Sequence, residues 1–522
     1  MKTPRCFIGN RFFSLVRTTS AGTLISAAAA MALFAASPGS PTISGTGMSI
    51  GAPDDVATTS LPITPVCTTP SPVHTYAWYH CYTPIDIRTA YGVTSIADPT
   101  TGNGSGKTLG QGQTIVLVDA YGSPTAASDL QFFHDTFYPN LPDPDFEQIF
   151  PQGTPDFSNP VSSGLSGPSA AAGWSEEATL DIEWAYAIAP LAHIVLLAVP
   201  PAETQGVQGF PNLFNAISGE IDATPPGTIF SMSFAVTEQT FGGAAQQQTA
   251  KFDAVFQKGI AKGDTFFAGS GDFGSLGVAK QHKETTAYSS PTVWWPASSP
   301  YVTAAGGTQL QYNWTWDPTS DTPFLPDGSP NPNYFAYTPG GNLNVVWNET
   351  WLPAATGGGP SAIYTRQSWQ DGVQGVVGSA RGVPDISWNA AVNGGVLIYI
   401  TAFPSVIRSG WHVIGGTSAA TPQLAALTAL ANQERAAASK GPLGNINPAI
   451  YSNTSWFIDV VPVTQGTAAS GVLDNNQLWQ YNPDGSVSPG PVAGQSTLTG
   501  YDMTTGLGTP NAATYVSGLA AY

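Results

Sequence analysis

The chain has 522 residues and 42% apolar content, enough for one large α/β domain or two ordinary ones around a sizeable core. Charged residues make up only 10%, and Asp+Glu outnumber Lys+Arg by 34 to 16, which argues against nucleic acid or an anionic membrane as partner. Such a composition suits an acidic medium, because protonating the carboxylates leaves few positive charges to repel one another.

Lys2, Arg5, Arg11 and Arg17 lie in a leading stretch without acids, and TTSAGTLISAAAAMALFAAS follows it. Residues 1–37 are therefore predicted to be a signal peptide, cleaved near Ala35–Ser37. Thr18, Thr19, Ser20, Gly22 and Thr23 leave its apolar core too short for a membrane anchor, and no later segment is a transmembrane candidate. The protein is expected to be secreted, extracellular or periplasmic. Cys6 would leave with the signal, so that Cys67 and Cys81 remain. They are either a disulfide closing a short loop or two unrelated thiols, and the first suits an oxidising compartment. Residues 38–80 form a Pro/Ser/Thr-rich segment, expected to be poorly ordered.

Beyond it the pattern is that of a packed fold. TIVLVDAYG (114–122), HIVLLAV (193–199), TIFSMSFAV (228–236) and DTFFAGSGD (264–272) read as buried strands running into turns. WSEEATLDIEWAYAIAP (174–190) has a helical period that stops at Pro190. Alternating β and α elements predict an α/β fold with a mainly parallel twisted sheet and helices on both faces. Ligands in such folds bind beyond the carboxyl ends of the strands. Residues 310–360, rich in Trp, Asn, Pro and Gly, read as long loops.

Near the C-terminus, GGTSAATPQLAALTAL (415–430) places Ser418 at the start of a buried helix, as a nucleophile would be held. Pro422 is expected in the first turn, where N–H groups lack intrahelical partners. A serine needs a base. None of His74, His80, His134, His193, His282 and His412 is followed by the Gly-Thr of a histidine at a helix start. His134 and His193 read as structural, and His412 is separated from Ser418 by a strand and a glycine turn. The carboxylates offer more. Glu177 and Asp181 lie one turn apart on one helix face, where two acids relieve repulsion by sharing a proton. Glu176 and Glu183 fall on other faces and read as solvated charges. The competing explanation for Glu177 is an ordinary first-turn acid after an N-cap at Ser175. Asp272 sits in a Gly/Ser turn at the expected active edge. There it either bonds its own backbone or, kept protonated, donates to an oxyanion.

Glu-Ala-Thr-Leu-Asp (177–181), Ser-Gly-Asp (270–272) and Gly-Gly-Thr-Ser-Ala-Ala-Thr-Pro (415–422) together resemble the sedolisin family of serine-carboxyl peptidases. PASSPYVTAAGGT (296–308), GGGPS (357–361), RGVPDIS (381–387), CYTPIDIRTAYGV (81–93) and TGYDMTTGLGTPN (499–511) extend the resemblance over residues 81–522, in order. It implies a subtilisin-like catalytic domain over 81–522 that hydrolyses polypeptides in acid. Ser418 would be the nucleophile, Glu177 its base and Asp181 the residue orienting Glu177. Asp272 and the Ser418 backbone N–H would form the oxyanion hole. The residue types fit, since a histidine is already protonated in acid while a glutamate still accepts a proton. The strand FSMSFAV resembles the family's substrate-pairing strand, with Ala235 where a glycine is common; Ser231 and Ser233 read equally as core or edge residues.

The resemblance also implies one Ca²⁺, held by Asp459 and Asp502 with carbonyls of Val460, Leu498 and Gly500, the alternative being that both aspartates only stabilise turns. The stretch 461–497 between them is longer than usual and is expected to hold an inserted hairpin. Family members are made with a large globular propeptide, for which residues 38–80 are too few, so a separately supplied propeptide or inhibitor is one expected partner of a monomeric enzyme. The alternatives are a catalytically silent relative that binds peptides or cell walls, and a histidine-based subtilisin relative using His412.

Overall fold

The computed structural model describes residues 81–204, 206–281, 284–316, 335–349, 354–392, 394–407, 409–463, 474–481 and 487–522. The signal peptide, the segment 38–80 and Cys67 lie outside the described residues. Cys81 is disulfide-bonded.

The run TIVLVDA forms strand β1 (Thr114–Ala120), buried along its whole length. A strand buried on both faces carries apolar residues at consecutive positions, and each alternate set meets a different layer. Ile115 and Leu117 join the core built by helices α2 (Pro168–Ile188) and α5 (Thr417–Ala437). Val116 and Val118 join the opposite core, with Phe210 and Phe214 of α3 (Gly206–Ala223) and Phe252 and Phe256 of α4 (Ala245–Lys262). A shorter helix, α1 (Ala126–Phe137), precedes these four and adds Leu130 and Phe133 to the first core.

Strands β2 (Phe146–Ile149), β3 (His193–Val199), β4 (Ile229–Met232) and β5 (Thr265–Gly269) complete the parallel centre, in spatial order β2–β3–β1–β4–β5. The long strand β6 (Thr303–Trp316) continues the sheet parallel to β5. It also takes β8 (Ile386–Asn389) in parallel and β7 (Phe335–Val346) antiparallel. The subtilisin-like arrangement expected from the sequence is present, with helices on both faces of a mainly parallel sheet. The β6–β7 pairing replaces part of the long loops read over 310–360, because Asn and Gly residues there sit within paired strands. A separate antiparallel pair, β9 (Gly395–Ile400) and β10 (Gly410–Ile414), leads into α5. Within 461–497, Trp479–Tyr481 pairs antiparallel with Val487–Pro489, as a hairpin requires.

Two helix boundaries differ from expectation. Helix α2 begins at Pro168, after Gly167, so Ser175 is not a cap and Glu177 lies well inside the helix. Ser175 instead donates through Oγ to the Gly122 carbonyl at 2.8 Å, fastening α2 to the turn after β1. Pro422 is the sixth residue of α5 rather than a first-turn residue. The bond it cannot make would run to the carbonyl of Ser418.

Candidate active site

Helix α2 is buried from Ala171 to Ile188, and it packs against α5 and the sheet. A helix so enclosed keeps its acids away from water on every face, so Glu176 and Glu183 are not solvated charges. Glu183 accepts the Tyr399 N–H at 2.9 Å, and burial pushes its carboxyl well up. Glu176 is pushed up to about 8, first by burial and then by the neighbouring Glu177.

Glu177 and Asp181 are both fully buried, one helical turn apart. Asp181 Oδ1 accepts a hydrogen bond from Ser233 Oγ at 2.9 Å. Its carboxyl is raised well above the usual range by burial first and by Glu177 second, with the Ser233 bond opposing. Asp119, at the carboxyl end of β1, belongs to the same group. Burial raises it first, then Glu177, then Asp181. The sequence reading does not single out Asp119, and it takes Ser233 only as a core or edge residue. An acid at the end of an otherwise apolar strand is a readable signal for Asp119, whereas the Ser233–Asp181 bond joins residues 52 apart in the chain.

Asp272 follows β5 and faces the start of α5. Its Oδ1 accepts from both the N–H and Oγ1 of Thr417, each at 2.8 Å, while Oδ2 is buried without a partner among the described residues. Burial pushes this carboxyl up to about 7 against the lowering effect of the two Thr417 bonds. The turn is clamped from the other side by the GGGPS loop: Gly357 N–H donates to Gly271 O at 2.7 Å, and Ser270 Oγ to Gly357 O at 2.7 Å. A Cβ on Gly357 would lie 2.0 Å from the Ser270 carbonyl, so the close approach requires glycine.

Ser418 is the second residue of α5, nine-tenths or more buried. It opens with Asp272, Thr417 and Ser233 onto a cleft whose other walls include Phe273 and Trp294. Ser418 and Asp272 thus share one cleft. Asp181 is linked to its wall through Ser233, and Glu177 lies one helical turn before Asp181 on α2. None of the histidines among the described residues lines it. His412 is buried on β10 with Nδ1 3.9 Å from Glu176 Oε1. His134 meets the Tyr186 hydroxyl at 2.5 Å, and His193 meets Asp145 and Glu147 at the edge of the sheet. His74, His80 and His282 lie outside the described residues.

At the C-terminal end, Asp459 and Asp502 address the same turn. Gly500 N–H donates to Asp459 Oδ2 at 2.8 Å, and Leu498 N–H to Asp502 Oδ2 at 3.0 Å. Asp502 Oδ1 takes the N–H and hydroxyl of both Thr504 and Thr505. Among the described residues the carbonyls of Val460, Leu498 and Gly500 accept no backbone hydrogen bond across this turn. No group of three or more His, Cys, Asp or Glu residues placed to hold a metal occurs among the described residues. Two carboxylates and three carbonyls nonetheless make an all-oxygen set of the kind that suits a hard cation.

No family model matches the chain. It is 28% identical over 439 residues to kumamolisin from Bacillus sp. (strain MN-32), a match covering 82% of this chain and 62% of that relative. It is 32% identical over 238 residues to sedolisin from Pseudomonas sp. (strain 101), covering 44% of this chain and 34% of that relative. The chain thus spans about three-fifths of kumamolisin's length and less of sedolisin's. The solved structure of Pseudomonas sedolisin, a serine-carboxyl proteinase complexed with two molecules of pseudo-iodotyrostatin, superposes with a TM-score of 0.57 at 23% identity. That superposition covers 85% of this chain and 99% of the other, and it is a likeness of fold. Among the described residues no helix is long and apolar enough to cross a membrane.

Proposed function

Because this chain belongs to the sedolisin family, we propose that it is a secreted serine-carboxyl endopeptidase acting on polypeptides in acid. Ser418 Oγ attacks the peptide carbonyl while Glu177 takes its proton, and Asp181 orients Glu177. The carbonyl oxygen becomes an oxyanion held by the Ser418 N–H and by the protonated Oδ2 of Asp272. Collapse expels the amine, which receives the proton from Glu177 and leaves an acyl-enzyme. Water, deprotonated by Glu177, then releases the acid and restores Ser418.

The observation that carries this reading is the half-satisfied Asp272. One oxygen is fixed by Thr417, and the other is buried and free in the cleft that Ser418 also lines. A carboxyl pushed up to about 7 is neutral in acid and so donates a hydrogen bond. Asp459, Asp502 and the carbonyls of Val460, Leu498 and Gly500 would hold one Ca²⁺, whose contribution there is to bind the 498–502 turn to the segment 459–460. We further propose that the enzyme is monomeric and that a separately supplied propeptide or inhibitor restrains it.

The test follows cleavage of an acid-denatured protein from pH 2 to 8 by the purified chain and its Ser418→Ala variant. Cleavage confined to acid and lost in the variant is the expected outcome. A folded wild-type protein that cleaves nothing at any pH, with or without an added family propeptide, overturns the proposal.

A further inference from the structure

Behind the turn that carries Asp272, three segments distant in sequence meet on one buried amide. Residues 271–274 lie along 355–357. Ala355 N–H donates to Asp272 O at 2.9 Å, Gly274 N–H to Ala355 O at 2.9 Å and Gly357 N–H to Gly271 O at 2.7 Å. The main chain of Asp272 is thus placed by the 355–357 segment, as its carboxyl is by Thr417. Asn476, fully buried, bonds both members of this pair. Its Oδ1 accepts from Ser275 Oγ at 3.1 Å, and its Nδ2 donates to the Thr356 carbonyl at 3.0 Å. Ser275 and Thr356 are themselves fully buried.

The base of the hairpin formed by Trp479–Tyr481 and Val487–Pro489 holds Asn476 in turn. Oδ1 also accepts from Gln495 N–H at 2.7 Å, and the Asn476 N–H donates to Gln495 O at 3.1 Å. These partners fix the orientation of the amide, because a reversed one would set its NH2 against the Gln495 N–H. The backbone of Asn476 presses on the same turn. A Cβ added to Gly274 would lie 2.0 Å from Asn476 O, and Gly274 has a φ of +56°, so glycine is required there. Buried polar groups joined in this way resist separation, since each lost partner leaves the other desolvated and unpaired. The three partners of the side chain are a hydroxyl, a carbonyl and an N–H, none of which titrates.

We propose that Asn476 is a positioning residue for the peptidase reaction: by tying Ser275 to Thr356 it holds the Asp272 carboxyl where the oxyanion forms. The proposal rests on the peptidase reading and extends its machinery to the hairpin base, 201 residues from Ser275 in the chain. Asn476 acts through the turn and is not among the residues that line the cleft.

Asn476→Ala, Asn476→Asp and Ser275→Ala test it, each compared with wild type below its own melting temperature. Asn476→Ala should lose about tenfold to hundredfold in kcat with KM within about twofold, because a displaced oxyanion donor weakens the transition state more than the bound peptide. Ser275→Ala removes one bond of three and should lose less; it also serves if Asn476→Ala does not fold. Asn476→Asp separates positioning from stability alone. Protonated, its carboxyl repeats the amide, one oxygen accepting from Ser275 and Gln495 and the other donating to Thr356. Ionised, it has no proton for the Thr356 carbonyl. Its kcat should match wild type at the acid end and fall toward that of Asn476→Ala as pH rises, ahead of the wild-type alkaline limb. Variants whose melting temperatures drop while kcat, KM and pH profile stay those of wild type overturn the proposal and leave the peptidase reading intact. A wild type that cleaves nothing overturns the peptidase reading, and this proposal with it.

Discussion

Thr417 places its backbone N–H and its hydroxyl on the same oxygen of Asp272, each at 2.8 Å. The carboxyl therefore has one oxygen committed as acceptor, and its proton is directed to the other, which is buried and free. The residue before the nucleophile thus sets both the orientation and the useful protonation state of the oxyanion donor.

The pH dependence of that donor can be tested. Burial raises Asp272 to about 7, so the donor is present in acid and lost as pH rises through that value. The activity should fall on the alkaline side accordingly. Asp272→Asn keeps an acceptor toward Thr417 and an N–H toward the oxyanion at every pH, so its alkaline limb should move upward. Asp272→Ala should lose about 10²–10³ in kcat, as removal of an oxyanion donor does. Measured kcat against pH checks both. An unchanged alkaline limb in Asp272→Asn would assign that limb to another group.

Ser233 should tune the base. Its hydroxyl donates to Asp181 at 2.9 Å and opposes the upward shift that burial and Glu177 impose. Removing it raises the carboxyl pair further, so Ser233→Ala should shift the acidic limb of kcat to higher pH, by about one unit for a charge-assisted hydrogen bond of about 1.5 kcal/mol. The shift should vanish in an Asp181→Asn background, where no carboxylate remains to accept the bond. A uniform loss of rate with the limb unmoved would reduce Ser233 to a structural role.

Much of this was legible beforehand, for physical reasons. Strands such as TIVLVDA are covered on both faces, so their apolar runs are unbroken. The acids at 177, 181 and 272 stand in motifs short enough to read in one line. What was not legible depended on distant neighbours. Glu176 and Glu183 have the spacing of surface charges, yet α2 is buried on every side because α5 and the sheet cover it. The true start of α2 at Pro168 is hidden by the small residues Ser169–Gly173, which give little helical period. Asn342 and Asn344 look like loop residues, but they lie in β7 paired with β6, and their side chains bond Ala90, Tyr91 and Thr308 across elements. The Ser233–Asp181 bond exists only after the strands are assembled.

Stability should also respond to pH in the direction opposite to ordinary acid unfolding. Glu176 is raised to about 8, Asp272 to about 7 and Asp253 to about 6, with Asp119, Asp181 and Glu183 raised as well, all chiefly by burial. In the unfolded chain such groups titrate near 4. A folded state that holds its protons more tightly than the unfolded state is favoured at low pH. Its advantage is full below about 4 and is lost as pH rises through about 6 to 8. The melting temperature should therefore rise as pH is lowered from 8 to 4. Glu176→Gln, which removes one raised carboxyl, should flatten that rise. A melting temperature that falls steadily over the same range would mean that these carboxyls are not held protonated.

The C-terminal turn gives a prediction independent of catalysis. Asp459 and Asp502 approach one turn from two sides, Asp459 Oδ2 through the Gly500 N–H and Asp502 Oδ2 through the Leu498 N–H. With a cation bound there, each would become a ligand. A cation that binds only the folded chain stabilises it by mass action, about 2.7 kcal/mol at a hundredfold excess over Kd. In a domain of this size that corresponds to a few degrees in melting temperature. Chelation should therefore lower the melting temperature of the intact chain, and added Ca²⁺ should restore it better than Mg²⁺, which demands tighter octahedral geometry. Asp459→Asn removes one charged ligand while leaving an oxygen for the Gly500 N–H, so its melting temperature should hardly respond to chelator. If wild type and variant respond alike, or neither responds, the two aspartates serve the turn alone, as the four Thr504 and Thr505 donors on Asp502 already do.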